Sequence, residues 1–258
     1  MNNFRQRVAA RFGAAADTYD AHSPAQRHAA ARLAGLIATA GLPPRPHVLE
    51  IGCGTGHLTE HLALQLPGAR IIATDIAPAM VAACRVRLGD VPRLAYATLD
   101  GTQPAVRGPF DLVCANLAAQ WFVDQPAALA SLTALLAPGG LLAVSLLGAE
   151  TFREWRAAHA RQGLTAGTLP FPGVRQCRAA FPAGQLRLDI ETWIDHPASA
   201  LDFLRSLRAI VADTPAPGHA RLSPAQLRRV LHMMGDAPTI GYELIYARWN
   251  AGRTSNLV

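Results

Sequence analysis

The stretch VLEIGCGTGHLT, residues 48–59, decides the fold of this chain. Apolar, strand-forming residues lead into glycines at positions 52, 54 and 56. Glycines at every second position permit a tight turn and let a ligand approach the main chain closely. The spacing differs from the G-x-G-x-x-G of dinucleotide sites, and the G-x-x-x-x-G-K-[ST] pattern of a P-loop is absent from the sequence. We therefore interpret the turn as part of a site for a nucleotide-like ligand.

An acidic residue follows the glycine turn at the distance expected of a ribose ligand. Residues 69–88, ARIIATDIAPAMVAACRVRL, predict a second strand that ends at Asp75 and a helix that begins at Pro78. A carboxylate about 20 positions after such a turn can accept hydrogen bonds from the ribose hydroxyls. Asp75 is therefore the candidate ribose ligand, and the alternative is a solvated residue at a strand end.

Three further strands are predicted in the order of an α/β sheet. The segments YATLDG (96–101) and FDLVCANLAAQWF (110–122) predict the third and the fourth. Residues 126–149 carry no charge, and the segment is long enough for a membrane helix. Because the sequence PGG divides this segment, we predict instead a helix at 127–136 and a buried fifth strand at 141–147.

The rest of the chain predicts an extension of the sheet. We expect a lid at about residues 150–185, a sixth strand at 186–196 and a last strand at 239–250, with a helix between the last two strands capped by Ser223. The lid contributes Phe171 and other aromatic side chains. The prediction is therefore a Rossmann-like α/β fold with a seven-stranded sheet and helices on both faces.

The domain boundaries follow from this assignment. Residues 1–16 are basic and lack acids, as a mitochondrial presequence does, but we interpret them as an amphipathic capping helix. We predict an N-terminal helical cap at 1–40, a ligand-binding domain at 41–250 and a loose tail at 251–258. Within the cap, we expect Asp20 and His22, the neighbours of Tyr19, to face solvent.

Composition limits the function classes. The chain has 258 residues, 50% of them hydrophobic, which is enough for a substantial core. Its four cysteines contain no C-x-x-C pair, so the sequence suggests no metal site and no disulfide, and we expect a reduced, cytoplasmic setting. The net charge of +6 suits an acidic partner. Nucleic acid is the competing partner, and the lack of a lysine-rich tract makes it the weaker interpretation.

Several motifs together resemble a known family. The spacing E-x-G-x-G-x-G resembles motif I of the class I S-adenosylmethionine (AdoMet) methyltransferases. With the segments NLAAQWF, PGG, FLRSLRAI, GYELIYARW and RFGAAADTYDAHSPAQR, nearly the whole chain resembles the malonyl-[acyl-carrier protein] O-methyltransferase family of biotin synthesis (the BioC family). The resemblance implies AdoMet as cofactor, with no metal. The cofactor-binding residues that it implies are Glu50, Gly52, Gly54, Gly56, Asp75, Ile76, Met80, Asp100, Gly101 and Asn116.

The implied substrate is the free carboxylate of malonyl-acyl carrier protein or malonyl-CoA. A carboxylate with a pKa of about 4 is already ionised at neutral pH, so the reaction needs no general base. A closed aromatic site would favour it, and an arginine could select the carboxylate. The substrate-binding candidates are Tyr19, Gln120, Trp121, Arg153 and Arg156. Only one of the two arginines can lie on the inner helix face with Phe152, because residues three apart share a face and neighbours do not, and we prefer Arg153 for the carboxylate.

Two arginines in the C-terminal part of the chain are candidates for binding a partner protein. Acyl carrier proteins are acidic, so Arg205 and Arg208 are candidates for docking the carrier. The family usually carries a lysine followed by isoleucine-glycine-alanine where this chain has Arg208 and IVAD. We expect a monomer that binds neither nucleic acid nor a membrane. The alternatives are a methyltransferase acting on a free small acid or other small molecule, and an AdoMet-binding assembly factor without acyl methyltransferase activity.

Overall fold

A computed structural model of the chain describes residues 2–209, 219 and 222–251. The described residues contain a seven-stranded sheet. Its strands are β1 (His47–Ile51), β2 (Arg70–Asp75), β3 (Leu94–Thr98), β4 (Phe110–Asn116), β5 (Leu136–Leu147), β6 (Gln185–Asp195) and β7 (Ile240–Asn250). The α-helices of the described residues are α1 (Asn2–Ala15), α2 (Pro24–Ala38), α3 (His57–Gln65), α4 (Pro78–Leu88), α5 (Gln125–Thr133), α6 (Arg153–Ala160), α7 (Val174–Ala179), α8 (Ala200–Ala209) and α9 (Pro224–Met233).

The strand order is β3-β2-β1-β4-β5-β7-β6, which confirms the predicted Rossmann-like fold with seven strands. Strands β1 to β5 are parallel, whereas β7 runs antiparallel to β5 and to β6. The order reverses between β1 and β4, because the chain moves outward from β1 in one direction and returns to its other side. In open α/β sheets, ligands bind beyond the carboxyl ends of the strands at this switch point.

Both faces of the sheet are covered by apolar side chains. Successive residues of a central strand belong to different clusters: Leu112 belongs to one that includes residues of α2, α3 and α8, and Val113 to one that includes residues of α5 and α7. A strand buried on both faces reads as a continuous apolar run, which is why the sequence pattern identified these strands. The pattern of one cluster on each face confirms that helices lie on both faces.

The PGG segment lies inside β5 instead of before it. The predicted helix at 127–136 ends at Thr133, and β5 begins at Leu136. The pairing of β4 with β5 shifts register between Phe110 and Leu112, and Gly139 has a φ of 77° there. An irregular strand start, which glycine permits, therefore takes the place of the predicted loop. None of the helices in the described ranges is long and apolar enough to cross a membrane.

The N-terminal segment has two parts with different neighbours. Helix α2 belongs to the core, since Ala29, Leu33 and Ile37 on it are fully buried. Helix α1 instead contacts α4, and a 3-10 turn at Tyr19–His22 joins α1 to α2. Part of the predicted 1–40 cap is therefore integral to the sheet layers.

Residues 150–185 contribute side chains to both faces of the sheet. Phe152 and Trp155 pack beside α8, with Phe152 and Phe203 ring centroids 5.4 Å apart. Cys177 and Phe181, in contrast, join the cluster on the opposite face. The capping residue of α9 is Ser223, whose hydroxyl accepts a hydrogen bond from Gln226 N, as the sequence predicted. The predicted tail, apart from residue 251, lies outside the described residues.

Candidate functional site

A cavity lies at the switch point of the sheet, beyond the carboxyl ends of β1, β2 and β4. The cavity and its mouth, which is open to solvent, span about 750 Å³ of space not filled by protein atoms. Eight of the ten predicted cofactor-binding residues line this cofactor cavity: Gly52, Gly54, Asp75, Ile76, Met80, Asp100, Gly101 and Asn116. Glu50 and Gly56 do not line it.

The three glycines of the turn have different surroundings. Gly52 has a φ of 70°, and a Cβ there would lie 2.5 Å from the Cβ of Ala118. Gly54 has a φ of 53° with open space where a Cβ would stand, and its main chain lines the cavity. Gly56 caps α3, and a Cβ there would lie 3.0 Å from Cys84 Sγ. Gly52 and Gly54 therefore shape the cavity, whereas Gly56 lets α3 pack against α4.

The Asp75 carboxylate holds the glycine turn in place. Its Oδ2 accepts a hydrogen bond of 3.0 Å from Gly54 N, and its Oδ1 accepts one of 2.9 Å from Ala77 N. Burial raises the pKa of Asp75, and the backbone N–H donors of Ala77 and Gly54 oppose that rise. Each carboxylate oxygen has a second lone pair, so Asp75 can accept ligand hydroxyls while it orders the turn.

Glu50 is buried behind the turn. Its Oε2 accepts a hydrogen bond of 2.7 Å from the Thr59 hydroxyl, which ties β1 to α3. Burial raises the pKa of Glu50 to about 8, although the Thr59 hydrogen bond opposes the rise. Glu50 lines a smaller cavity beneath the turn with Gly52 and Asn116. The protonated, neutral form is therefore favoured at neutral pH in the protein without ligand.

Aromatic side chains from the N-terminal segment cover the cofactor cavity. The Phe12 ring lies edge-on to Trp121, with ring centroids 5.3 Å apart, and 6.2 Å from the Tyr19 ring. Val8 on α1 also lines the cavity. Sequence reasoning missed Val8 and Phe12, although their spacing of four residues places them on one face of a helix.

Polar contacts fasten this cover to the body of the domain. Asp20 forms an ion pair with Arg87 on α4 and accepts a hydrogen bond from the Thr55 hydroxyl in the glycine turn. His57 Nε2 lies 3.2 Å from Asp20 Oδ1 and 3.2 Å from the Ser23 hydroxyl. Burial first, and then the Arg87 guanidinium, lowers the pKa of His57 to about 4. Asp20, which we expected to face solvent only, therefore connects the cover to two helices.

A second cavity adjoins the first. Both are lined by four residues from three parts of the chain: Phe12, Tyr19, Leu117 and Trp121. Leu117 has a φ of 46°, an uncommon conformation for a branched side chain and one that concentrates at functional sites. Gln120 lines the second cavity, as do Phe152, Phe171 and Tyr242. Three predicted substrate-binding residues, Tyr19, Gln120 and Trp121, thus lie together.

The two predicted arginines lie elsewhere. The Arg153 side chain is 71% exposed, and its Nη2 is 3.7 Å from Glu154 Oε1. The Arg156 guanidinium donates hydrogen bonds to the carbonyl oxygens of Thr151 and Ala149. Neither arginine lines either cavity. Helix α6 begins at Arg153, and the side of this helix that faces the core carries Trp155. The expectation that one of these arginines, preferably Arg153, faces the substrate site is therefore not met.

Comparison with known proteins agrees with this geometry. A family model described as a methyltransferase domain matches residues 49–142, which hold the glycine turn, Asp75 and β4. The biotin biosynthesis bifunctional protein BioCD of Bordetella avium is 45% identical, over 95% of this chain and 52% of that protein. This chain therefore spans about half the length of that relative.

Another relative matches over most of both lengths. The malonyl-[acyl-carrier protein] O-methyltransferase of Magnetococcus marinus is 40% identical, over 95% of this chain and 92% of that protein. Among solved structures, the YcgJ protein of Bacillus subtilis superposes with a TM-score of 0.59 at 16% identity, over 84% of this chain and 97% of that one. The structural likeness supports the fold.

Replacing single glycines of the turn tests its geometry. In Gly54→Ala the new methyl group meets open space, so only the strained backbone costs stability, about 1 kcal/mol. In Gly52→Ala the methyl group also collides with Ala118, which adds roughly 1–3 kcal/mol. Urea unfolding of both variants without ligand measures the difference. Equal losses of stability would contradict the arrangement of the turn.

The raised pKa of Glu50 predicts how stability depends on pH. Between pH 4.5, the ordinary pKa, and about 8, the folded protein binds more protons at Glu50 than the unfolded chain. Its contribution to the free energy of unfolding therefore falls as pH rises through this window. Glu50→Gln removes that fall, on the order of 3 kcal/mol, in urea unfolding at pH 5 and 8.5 without ligand. The exposed Glu150→Gln is the matched control, and an unchanged pH dependence in Glu50→Gln would disprove the assignment.

Proposed function

The chain belongs to the malonyl-[acyl-carrier protein] O-methyltransferase family, and from that premise we propose how its site performs the reaction. The enzyme is an AdoMet-dependent methyltransferase of biotin synthesis that methylates the free carboxylate of a malonyl thioester on acyl carrier protein. The observation that supports this assignment most directly is the pair of adjoining cavities with a shared aromatic wall. One cavity suits the cofactor and the other the acceptor.

The residues of the first cavity fit AdoMet. Gly52 and Gly54 would lie against the methionine part, and the carboxylate of Asp75 would accept the ribose hydroxyls. Asp100 and Gly101 would lie at the adenine end, where a Cβ on residue 101 would come within 2.2 Å of Ile51. AdoMet supplies a methyl group bonded to a positively charged sulfur. The acidic side chains of this cavity suit a cationic ligand.

The chain's contribution to the chemistry is to position the substrate and exclude water. Because the malonyl carboxylate is ionised at neutral pH, no residue has to remove a proton before it attacks. Orienting the attacking oxygen can supply roughly 7–11 kcal/mol of the barrier reduction. Attack by an anion on a cation cancels both charges, so a site lined by Phe12, Trp121 and Phe171 favours the transition state over the hydrated reactants.

The segments around the second cavity support roles for the cap and the lid. The cap at 1–40 provides Phe12 and Tyr19, and the lid at 150–185 provides Phe152 and Phe171. Both segments would have to loosen for substrate to reach the wall between the cavities.

Docking of the carrier protein is proposed on helix α8. Phe203 and Leu207 on α8 are buried, whereas Arg205 and Arg208 are exposed. The helix contacts the 3-10 turn that contains Tyr19, which is a lining residue of the second cavity. Arg205 Nη1 donates a hydrogen bond of 2.9 Å to Asp202 Oδ1, and this carboxylate offsets the positive charge of Arg205. Substitution of Arg208 therefore tests the docking role more directly. An acidic carrier would be attracted to this helix face.

The central experiment compares acceptors. The purified protein is incubated with AdoMet and with malonyl-acyl carrier protein, malonyl-CoA or malonate, and each product is measured by intact mass. We expect the carrier substrate to gain one methyl group fastest, and acetyl-acyl carrier protein, which lacks the carboxylate, to gain none. Methylation of malonate alone would support a free-acid methyltransferase, and AdoMet binding without any product would support an assembly factor.

The docking proposal predicts a change confined to the carrier substrate. Arg208→Glu should raise the KM for malonyl-acyl carrier protein at least fivefold at low salt, because it repels the acidic carrier. The KM for malonyl-CoA should change less than twofold. Arg70→Glu, exposed at the opposite ends of the strands, is the matched control. Equal effects of the two substitutions would exclude a specific docking role for α8.

A further inference from the structure

Three side chains from separate elements meet beside the cofactor cavity. Asp20 belongs to the 3-10 turn Tyr19–His22, His57 is the first residue of α3, and Arg87 lies in the last turn of α4. One oxygen of the Asp20 carboxylate pairs with the Arg87 guanidinium, and the other lies 3.2 Å from His57 Nε2. This second oxygen also accepts a hydrogen bond from the Thr55 hydroxyl. One carboxylate thus fastens the segment between α1 and α2 to the glycine turn and to two helices.

The partners of His57 determine which ring nitrogen carries the proton. Arg87 Nη1 lies 3.0 Å from His57 Nδ1, and a guanidinium can only donate hydrogen bonds. Nδ1 is therefore the acceptor, so the proton of the neutral ring is on Nε2, which faces Asp20 Oδ1 and the Ser23 hydroxyl. Burial and the Arg87 guanidinium lower the pKa of His57 to about 4, so the ring stays neutral at physiological pH. His57 therefore provides a second link between Arg87 and Asp20.

The fastened segment carries side chains that both cavities share. Phe12 on α1 and Tyr19 on the 3-10 turn line the cofactor cavity and the second cavity, and Phe12 packs edge-on against Trp121. Asp20 follows Tyr19 directly in the sequence. A movement of this segment that breaks the contacts of Asp20 would therefore displace part of the wall of both cavities at once.

We propose that Asp20, His57 and Arg87 are positioning residues that hold the shared wall closed and thereby set the affinity of the enzyme for cofactor and acceptor together. This inference rests on the proposed function and assigns a role to contacts outside both cavities. The three side chains need no contact with either ligand to do this. They act through Phe12 and Tyr19, whose positions each ligand would require.

A shared wall relates the two affinities quantitatively. If both ligands bind only when the wall is closed, the apparent Kd of either ligand alone is its intrinsic Kd divided by the closed fraction. A weaker fastening lowers this fraction and raises both Kd values by the same factor. A saturating amount of one ligand keeps the wall closed, so the other ligand then binds with its intrinsic Kd. The loss of affinity should therefore disappear in the ternary complex.

S-adenosylhomocysteine has no methyl group on its sulfur, so it allows binding to be measured without turnover. In Asp20→Asn and in Arg87→Met its Kd in calorimetry should rise at least fivefold. The Kd for malonyl-acyl carrier protein alone should rise by the same factor, within twofold. With the other ligand saturating, each Kd should return to within twofold of the wild-type value.

The matched controls lie on the same helix. Arg85 on α4 forms an exposed ion pair of 2.6 Å with Asp90, just after the helix ends. Arg85→Met and Asp90→Asn repeat the two substitutions at this pair, and each Kd should stay within twofold of the wild-type value. If Asp20→Asn or Arg87→Met does not fold, Thr55→Val removes a single hydroxyl contact to Asp20 and should raise both Kd values at least threefold, with the same reversal.

The two Kd values separate a shared wall from damage to the glycine turn alone. A higher Kd for S-adenosylhomocysteine that the carrier does not reverse, or an unchanged Kd for the carrier, would overturn the inference. Kd values within twofold of wild type in all three variants would overturn it too. Either result leaves the proposed function intact if the wild type methylates the malonyl carrier. A wild-type protein that neither binds nor methylates this carrier would overturn both proposals.

Discussion

The hydrogen bond from Gly54 N to the Asp75 carboxylate is the contact on which the rest of the site depends. It joins the turn after β1 to the end of β2, and Asp75 also accepts a hydrogen bond from Ala77 at the start of α4. One carboxylate therefore fixes the positions of two strand ends and a helix. Because the strand order reverses beside β1, this fixed turn borders the crevice in which the cofactor cavity forms.

Covering that crevice requires an element from outside the sheet. Helix α1 supplies Phe12, and the ion pair of Asp20 with Arg87 fastens the following turn to α4. An exposed ion pair contributes little, but this one is partly buried and shares hydrogen bonds with Thr55 and His57. The segment that covers the cofactor cavity is thus hydrogen-bonded to the glycine turn, so the ordering of this segment is coupled to the ordering of the turn.

The two cavities differ in the charge of their linings. Asp75 and Asp100 line the first cavity, which would suit a cationic cofactor, whereas the described lining of the second is mostly apolar and carries no charged side chain. Phe12 and Trp121 belong to both linings. The methyl group would cross this aromatic wall, where little water can stabilise the separated charges. The proposed reaction would therefore depend on the enclosure that the cap and the lid provide more than on an acid or a base.

The sequence by itself determined the parts of the molecule that obey local rules. The turn at Gly52 and Gly54 and the buried strands could be read directly, because backbone freedom and apolar runs are local properties. Only the tertiary structure decided which distant side chains meet. Gln26 lines the second cavity, where Asn116 holds α2 by a hydrogen bond. Arg153 is exposed because Trp155, two residues further along α6 and so on its opposite side, packs in the core. The rotation of a helix about its axis is set by all the surfaces that pack on it, and no short stretch of sequence contains that information.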